Sequence, residues 1–518
     1  MLIKFMNLFK LNIKNSVVVI FLLFLFLHIA LFNINVAEWG DSYRILRAAE
    51  YIRAFSYPQD EKRPPLFSAL LAVRPDTVDQ VLWGKLIMFV ISVVSFWVFY
   101  KLCRELLPDN TRAVTLAMLL FTLNPVYFYW SLRLYADVPL TLLILFAFYL
   151  LTKWRQSLTV KRLLVLGFVA GLAVLTRFEG YVLFISLAVG IPFLVKAVTK
   201  EKIQKVFWFA LAFALTVLPY LYFRNPLTST YLEEPAGRKY DLETVIIYVL
   251  SLLFVYGFVF GGYFILKYKT LATGFFKEHV GIGVYVLLNL LLVLLWPAAV
   301  PRLFVSGIPF LVIVLSLVLS EHFTLDQKLK TRDFITLVLI FGIYFIGQTK
   351  FRLQFLVPNT KILIFMLAVQ AVLVIFIVLK KFKLFIAALI VALVVWAVST
   401  VFLHKNVYTS LKLAADYAQQ NLEGNVLYND SSSISDWYLN QKAKNDKISG
   451  VYSDFNNKQI LTLDYLTANN IGYLLITNEH NPSLDINLAK RPYLQVIQDF
   501  QYIHGGKTFF TKVVKVSK

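Results

Sequence analysis

The chain has 518 residues, 59% of them hydrophobic and 16% charged, with a mean hydropathy of +0.68. Ordinary soluble domains are about 45–50% apolar and about 25% charged, so this composition excludes a water-soluble core, a disordered chain and a collagen-like fibre, and points to a polytopic membrane protein. The formal charge of +21 is first a question of topology, because cytoplasmic loops of membrane proteins collect Lys and Arg; it is no signal for nucleic acid here.

In chain order, apolar runs fall at residues 15–33, 82–101, 113–130, 137–152, 163–176, 180–195, 206–223, 244–266, 280–296, 303–320, 334–348, 360–379 and 384–403. These are thirteen candidate spans. The first, Ser16–Phe32, is longer than a signal-peptide core and is followed by no small-residue cleavage pattern, so it reads as a retained signal anchor.

With the N-terminus in the cytoplasm, every inner segment is basic. Examples are Lys101, Arg104 and Arg112; Lys153, Arg155, Lys161 and Arg162; Lys267, Lys269 and Lys277; and Lys380, Lys381 and Lys383. That agreement is what the positive-inside rule demands, and with an odd number of spans it puts the segment after residue 404 outside.

Three outer regions exceed connector length. The first loop, 34–81, contains Tyr43, Leu46, Ala49, Ile52 and Phe55 at helical spacing and breaks at Pro64-Pro65. The second covers 224–243. The third is the tail, 404–518, which reads as a small α/β domain: a helix at 410–422, a strand at 425–428, a helix at 463–469, and strands at 471–477, 493–498 and 508–516 with a turn at 504–506. The expected organisation is thus a transmembrane part, 1–403, whose first outer loop carries amphipathic helices, and an extracytoplasmic domain, 404–518. The single cysteine, Cys103, excludes an intramolecular disulfide, and the six histidines show no metal-ligand spacing.

Ionisable groups beside hydrocarbon are costly, so their positions carry information. They gather at the outer ends of spans: Asp41 in Glu38-Trp39-Gly40-Asp41-Ser42, Arg63 before Pro64, Arg133 and Asp137 around Tyr135, Arg177 and Glu179 in Thr176-Arg177-Phe178-Glu179-Gly180, and Arg302 after Pro301. Simpler roles exist for each. Asp41 and Asp137 suit helix N-caps, the latter with Pro139 just inside the first turn, and Arg177 with Glu179 suits a local ion pair. In the tail, Trp437, Tyr438, Tyr452 and Tyr473 suit either a sugar platform or a core, with core favoured. Arginines and carboxylates on one face also suit a definite chemistry. Guanidinium groups hold a phosphate through forked hydrogen bonds, and a carboxylate takes the proton of an attacking hydroxyl. A sugar on a lipid phosphate needs both.

The ordered set Gly40-Asp41-Ser42-Tyr43, Arg63-Pro64-Pro65-Leu66-Phe67, Tyr135-Ala136-Asp137-Val138-Pro139, Thr176-Arg177-Phe178-Glu179-Gly180 and Pro301-Arg302 resembles the GT-C membrane glycosyltransferases. The branch with protein O-mannosyltransferases and lipid A aminoarabinose transferases is the most similar. The resemblance implies an inverting transfer from a polyprenyl-phosphate sugar to a lipid, glycan or protein acceptor at the outer membrane face. It implies Asp41 and Asp137 as catalytic carboxylates, Arg63, Arg177 and Arg302 on the donor phosphate, and Glu179 and Tyr135 in support. Some members use a divalent metal ion and others do not; Asp41 and Asp137 would be its ligands here. Protein O-mannosyltransferases have adjacent Asp-Glu in the first loop, whereas Ser42 follows Asp41 in this chain. Two other readings stand beside this one. A lipid-linked-glycan flippase or transporter would show repeated halves and mid-membrane charges, and an oligosaccharide ligase or polymerase would show a large outer loop in the second half.

Overall fold

The computed structural model describes residues 13–195, 198–224, 240–255, 257–296, 301–324, 330–351, 360–441, 447–479, 488–504 and 507–517. Most of the expected outer region 224–243 and the tip of the turn at 504–506 lie outside them.

All thirteen apolar runs fall on helices: α1 (Ile13–Leu31), α4 (Gln80–Leu106), α5 (Thr111–Thr122) with α6 (Pro125–Ser131), α7 (Asp137–Lys153), α8 (Val160–Thr176), α9 (Gly180–Leu194), α10 (Thr199–Phe223), α11 (Leu242–Val255) with α12 (Gly261–Lys267), α14 (Val280–Leu295), α15 (Ile308–Thr324), α16 (Thr331–Phe351), α17 (Thr360–Val378) and α18 (Phe382–His404). A helix satisfies its backbone polar groups internally, which is why apolar runs take this form in lipid. The first loop holds α2 (Gly40–Arg53) and α3 (Leu66–Ala72), and α13 (Lys269–Glu278) precedes α14.

The expected count of thirteen full crossings does not follow from these lengths. Among the described residues, α4, α10 and α18 are each long and apolar enough to cross a membrane alone; α5 with α6 and α13 with α14 qualify as bent pairs, at 54° and 111°. Among the described residues, the apolar stretches Ser16–Leu31, Gly180–Leu194, Leu242–Leu252, Ile308–Thr324 and Leu367–Val378 are 10–17 residues long. Two expected spans are split for visible reasons. Asn124 accepts from the backbone N–H of Val126 and Tyr127, and Pro125 sits at the first position of α6, so the run at 113–130 restarts as a new helix. Gly257 has φ +64°, a left-handed conformation, between α11 and α12.

By contacts the chain forms two compact units. The first comprises residues 1–31, 62–67 and 82–400; the second comprises 32–61, 68–81 and 401–518. Most of the first outer loop therefore groups with the tail, whereas the sequence suggested a boundary near 403. The reason is burial: α2 presents Tyr43, Ile45, Leu46, Ala48 and Ala49 as a buried face.

Within the first unit, glycines let helices meet closely. A Cβ on Gly167 of α8 would lie 2.2 Å from the carbonyl oxygen of Phe209 in α10, and one on Gly171 would lie 2.6 Å from Thr216. This Gly-xxx-Gly spacing brings the two backbones together, a packing common where lipid removes the hydrophobic drive between helices. Gly190 of α9 and Gly281 of α14 make a similar approach.

Within the second unit, a five-stranded sheet has the order β2-β1-β3-β5-β4, from β1 (Gly424–Tyr428), β2 (Ile448–Tyr452), β3 (Ile471–Thr477), β4 (Leu494–His504) and β5 (Lys507–Val516). β1 pairs parallel to β2 and β3, and β5 pairs antiparallel to β3 and β4. Alternate side chains enter two cores. Leu427, Leu474, Ile476 and Val514 pack with Leu461 and Leu466 on one face. Val426, Tyr428, Leu475 and Val513 pack with Ala414 and Ala418 of α19 (Thr409–Asn421) on the other. Trp437 and Tyr438 are core residues, buried to 1% and 2% exposure, while Tyr452 is exposed.

Candidate functional site

In the first unit, the N-terminus of α7 and the turn between α8 and α9 bring three charged residues together. Asp137 is the first residue of α7, and its N-cap position is Ala136, so the carboxylate is not spent on capping. Its Oδ2 instead accepts from Arg177 Nη1 at 3.0 Å. Arg177 Nη2 donates to Glu179 Oε1 across the turn. The expected local pair is thus a three-member network, and all three side chains are largely buried. Burial pushes the Glu179 carboxyl up, but the adjacent Arg177 guanidinium, with a smaller contribution from Arg302, holds it below the usual range.

Arg302 lies in the 3-10 turn Pro301–Phe304, which packs against α6, α11 and α14. Its guanidinium sits 4.6 Å from the ring centre of Tyr135 and 5.6 Å from that of Trp130. These two rings meet edge-on at 4.8 Å. Arg133, 1% exposed, lies 5.3 Å from the Tyr129 ring. Asp137, Arg177, Glu179, Tyr135 and Arg302 therefore belong to one neighbourhood, with Arg302 close enough to act on Glu179. Trp130 joins it without having stood among the expected site residues. The aromatic run Tyr127–Trp130 after Asn124-Pro125 was the available signal. Arg63 is half-buried at a bend in the segment before α3.

Asp41 belongs to the second unit. It is not an N-cap: Trp39 holds that position, and Asp41 stands in the first turn of α2, half-buried, where the helix dipole favours a negative charge. The start of α2 is fixed by close contacts. The Glu38 backbone N–H donates to Tyr43 Oη at 3.2 Å. Tyr43 packs against Tyr438 and Trp437, with ring centres 5.7 and 6.3 Å away. Arg44 Nε donates to Ser433 Oγ at 2.9 Å, and Arg47 pairs with Asp60. Ser433 lies in a loop organised by the buried Asp430, which accepts from the backbone N–H of Ser432 at 2.7 Å and of Ser435 at 2.8 Å.

Among the described residues, no group of three or more His, Cys, Asp or Glu side chains converges as metal ligands. The Asp137 oxygen nearest Arg177 is already paired with that guanidinium.

Residues 62–223 match the family model described as dolichyl-phosphate-mannose-protein mannosyltransferase. No curated protein sequence matches the chain. Among solved structures, ArnT from Cupriavidus metallidurans bound to undecaprenyl phosphate is similar at 13% identity and a TM-score of 0.58, over 95% of this chain and 97% of that one. The mycobacterial arabinofuranosyltransferase AftD is similar at 12% identity and a TM-score of 0.51, over 98% of this chain and 40% of that one. The oligosaccharyltransferase AglB from Archaeoglobus fulgidus, in complex with an inhibitory peptide and a dolichol-phosphate, is similar at 11% identity and a TM-score of 0.51, over 96% and 74%. The chain has the GT-C fold of multi-pass membrane glycosyltransferases.

Proposed function

We propose that this GT-C-fold membrane protein is an inverting glycosyltransferase that takes a sugar from a polyprenyl-phosphate donor and passes it to an acceptor hydroxyl at the outer membrane face. The observation that carries the reading is the buried Asp137–Arg177–Glu179 network with Arg302 beside it. Membrane helices tolerate such a cluster where it serves a polar ligand. The match of residues 62–223 to a dolichyl-phosphate-mannose family, and the undecaprenyl phosphate bound in the similar ArnT structure, support a lipid-phosphate donor.

The roles are assigned residue by residue. Arg177 and Arg302 neutralise the phosphate that leaves the anomeric carbon, with Arg63 contributing to the same charge. Asp137, expected as a second catalytic carboxylate, is assigned with Glu179 to positioning instead, because the two carboxylates fix the Arg177 guanidinium in two directions. Tyr135 supports Arg302 from its ring face. Asp41 is the base. As the acceptor oxygen attacks the anomeric carbon, its proton passes to the Asp41 carboxylate, and the sugar–phosphate bond breaks with its electron pair on the phosphate oxygen. That leaving group is already a good anion, so no general acid is required.

The test is to incubate purified protein in lipid nanodiscs with a panel of polyprenyl-phosphate sugars and measure sugar release. Release from at least one lipid-linked sugar, lost in Asp41→Asn, is the expected result. Release from none, with transport of a lipid-linked glycan instead, would replace this reading by a flippase.

A further inference from the structure

The helices that carry the candidate site also frame a second feature at their opposite ends. Asp137 opens α7 and Glu179 precedes α9. At the far ends of the same two helices, Leu151, Thr152, Phe193 and Leu194 line a crevice with Arg155 and with the junction Lys277–Ile282 between α13 and α14. Its space, counted out into the open solvent at its mouth, is about 620 Å³. The seventeen residues of α7 alone separate the two places by about 25 Å at 1.5 Å per residue.

Two chemical features meet there. One wall is apolar: Phe148, Leu151, Phe193, Leu194 and Ile282, with Phe193 exposed at 67%. The rim carries Arg155 and Lys277, with Glu278 3.7 Å from Arg155 and His279 beside it. The fold around the rim is informative. α13 bends by 111° from α14, so it runs nearly perpendicular to an apolar helix of membrane type. It is amphipathic, burying Ala272 and Phe275 while Lys269, Thr273, Lys277 and Glu278 are exposed. A short basic amphipathic helix set across a membrane helix lies in the interface plane, at the depth of lipid headgroups. Exposed Lys153, with Lys161 and Arg162 in the first turn of α8, adds positive charge to the same end of the unit. Anionic lipid attracts such basic clusters.

We propose that this crevice is a binding site for an anionic membrane phospholipid, whose phosphate meets Arg155 and Lys277 and whose acyl chain covers Phe193 and Leu194. The occupant is amphiphilic because the cavity is: a free phosphate satisfies the rim and leaves the apolar wall wet, and a zwitterionic lipid brings its own cation to a basic rim. Gly190 and Gly281 explain how the crevice forms. Their backbone approach holds α9 against the first turn of α14, beside the sharp α13–α14 bend. The site is independent of the proposed donor chemistry.

The experiment is native mass spectrometry of the full chain released from mixed phosphatidylglycerol and phosphatidylcholine nanodiscs, with glycerol-3-phosphate as a soluble competitor. Wild-type protein is expected to retain one phosphatidylglycerol that the competitor does not displace. Arg155→Gln with Lys277→Gln is expected to weaken that retention roughly thirtyfold. Glu278→Gln, which removes the competing carboxylate, is expected to strengthen it, and this opposite direction separates charge recognition from misfolding. Equal retention of the two lipids by wild type, unchanged retention in the double variant, or full displacement by glycerol-3-phosphate would each overturn the proposal.

Discussion

The backbone of Gly40 lies so close to Ser432 that a Cβ built on the glycine would sit 2.1 Å from the Ser432 carbonyl oxygen. The obstacle is backbone, which cannot swing aside like a flexible side chain. It is also pinned, because Asp430 accepts from Ser432 and Ser435 and thereby holds the loop. Gly40→Ala is therefore expected to push the first turn of α2, with Asp41 on it, off the tail loop. Overpacking of this kind costs about 1–3 kcal/mol. Thermal unfolding of the purified protein should fall measurably, and sugar transfer should fall further than stability explains. Unchanged turnover would show that the placement of this turn does not matter to the reaction.

Asp41→Asn keeps the shape of the side chain and removes the base. Asp41 stands inside the first turn of α2 rather than at the N-cap. Expression and membrane insertion should match wild type, while transfer falls by the 10²–10⁴-fold typical of general-base removal. Near-normal turnover would remove Asp41 from the mechanism.

Apolar runs were legible because hydrocarbon forces a helix on them wherever they occur, and every one is helical here. The tail strands at 471–477 and 508–516 were legible from their β-branched and apolar text. Strand β2 was not. Ile448–Tyr452 contains Gly450 and is mostly exposed at a sheet edge, so it leaves no alternating pattern to read. The Asp137–Arg177 pair spans 40 positions, and no local spacing encodes a contact made by the crossing of α7 with the α8–α9 turn. The grouping of α2 with the tail was hidden for the same reason. The buried face of α2 is visible in sequence, but its partners lie near residue 437.

Removing one partner of a largely buried ion pair leaves the other charge uncompensated. For Arg177→Ala two carboxylates lose their cation, a loss in the range of 3–5 kcal/mol for a fully buried pair and less for the residual exposure here. The folded-state pKa of Glu179 is held below its unfolded value of 4.5, so its stabilisation is present at neutral pH and disappears as pH falls below about 4.5 toward the folded value. A thermal-unfolding series from pH 7 to pH 3 should show wild type losing stability at the acid end, with Glu179→Gln losing less. Parallel curves would mean that Glu179 is not coupled to Arg177 in solution.

Arg302 rests on the faces of Tyr135 and Trp130. The ring faces hold the cation whether or not the phenol oxygen is present, so Tyr135→Phe should preserve donor binding and Tyr135→Ala should weaken it. Arg302→Ala should raise the donor KM by at least tenfold at near-constant protein level, and Arg302→Lys should recover part of that, because a point charge cannot reproduce the fork. Equal losses in Tyr135→Phe and Tyr135→Ala would place the phenol oxygen, not the ring, in the interaction.

The basic loops predict an orientation that is open to direct labelling. Cys103 is the chain's single cysteine and is fully buried, so it gives little background to a thiol reagent. Ile503 lies on the edge strand β4 with 73% of its surface exposed, which makes Ile503→Cys a mild change that presents a reactive thiol. If the basic segments near Lys153–Arg162 and Lys267–Lys277 face the cytoplasm, an odd number of crossings places the tail outside. An impermeant maleimide should then label Ile503→Cys in intact cells and leave Gln156→Cys, in the α7–α8 loop, unlabelled until lysis. The reverse pattern would invert the protein in the membrane and move the Asp137–Arg177 network to the cytoplasmic face, where the proposed outer-face transfer could not occur.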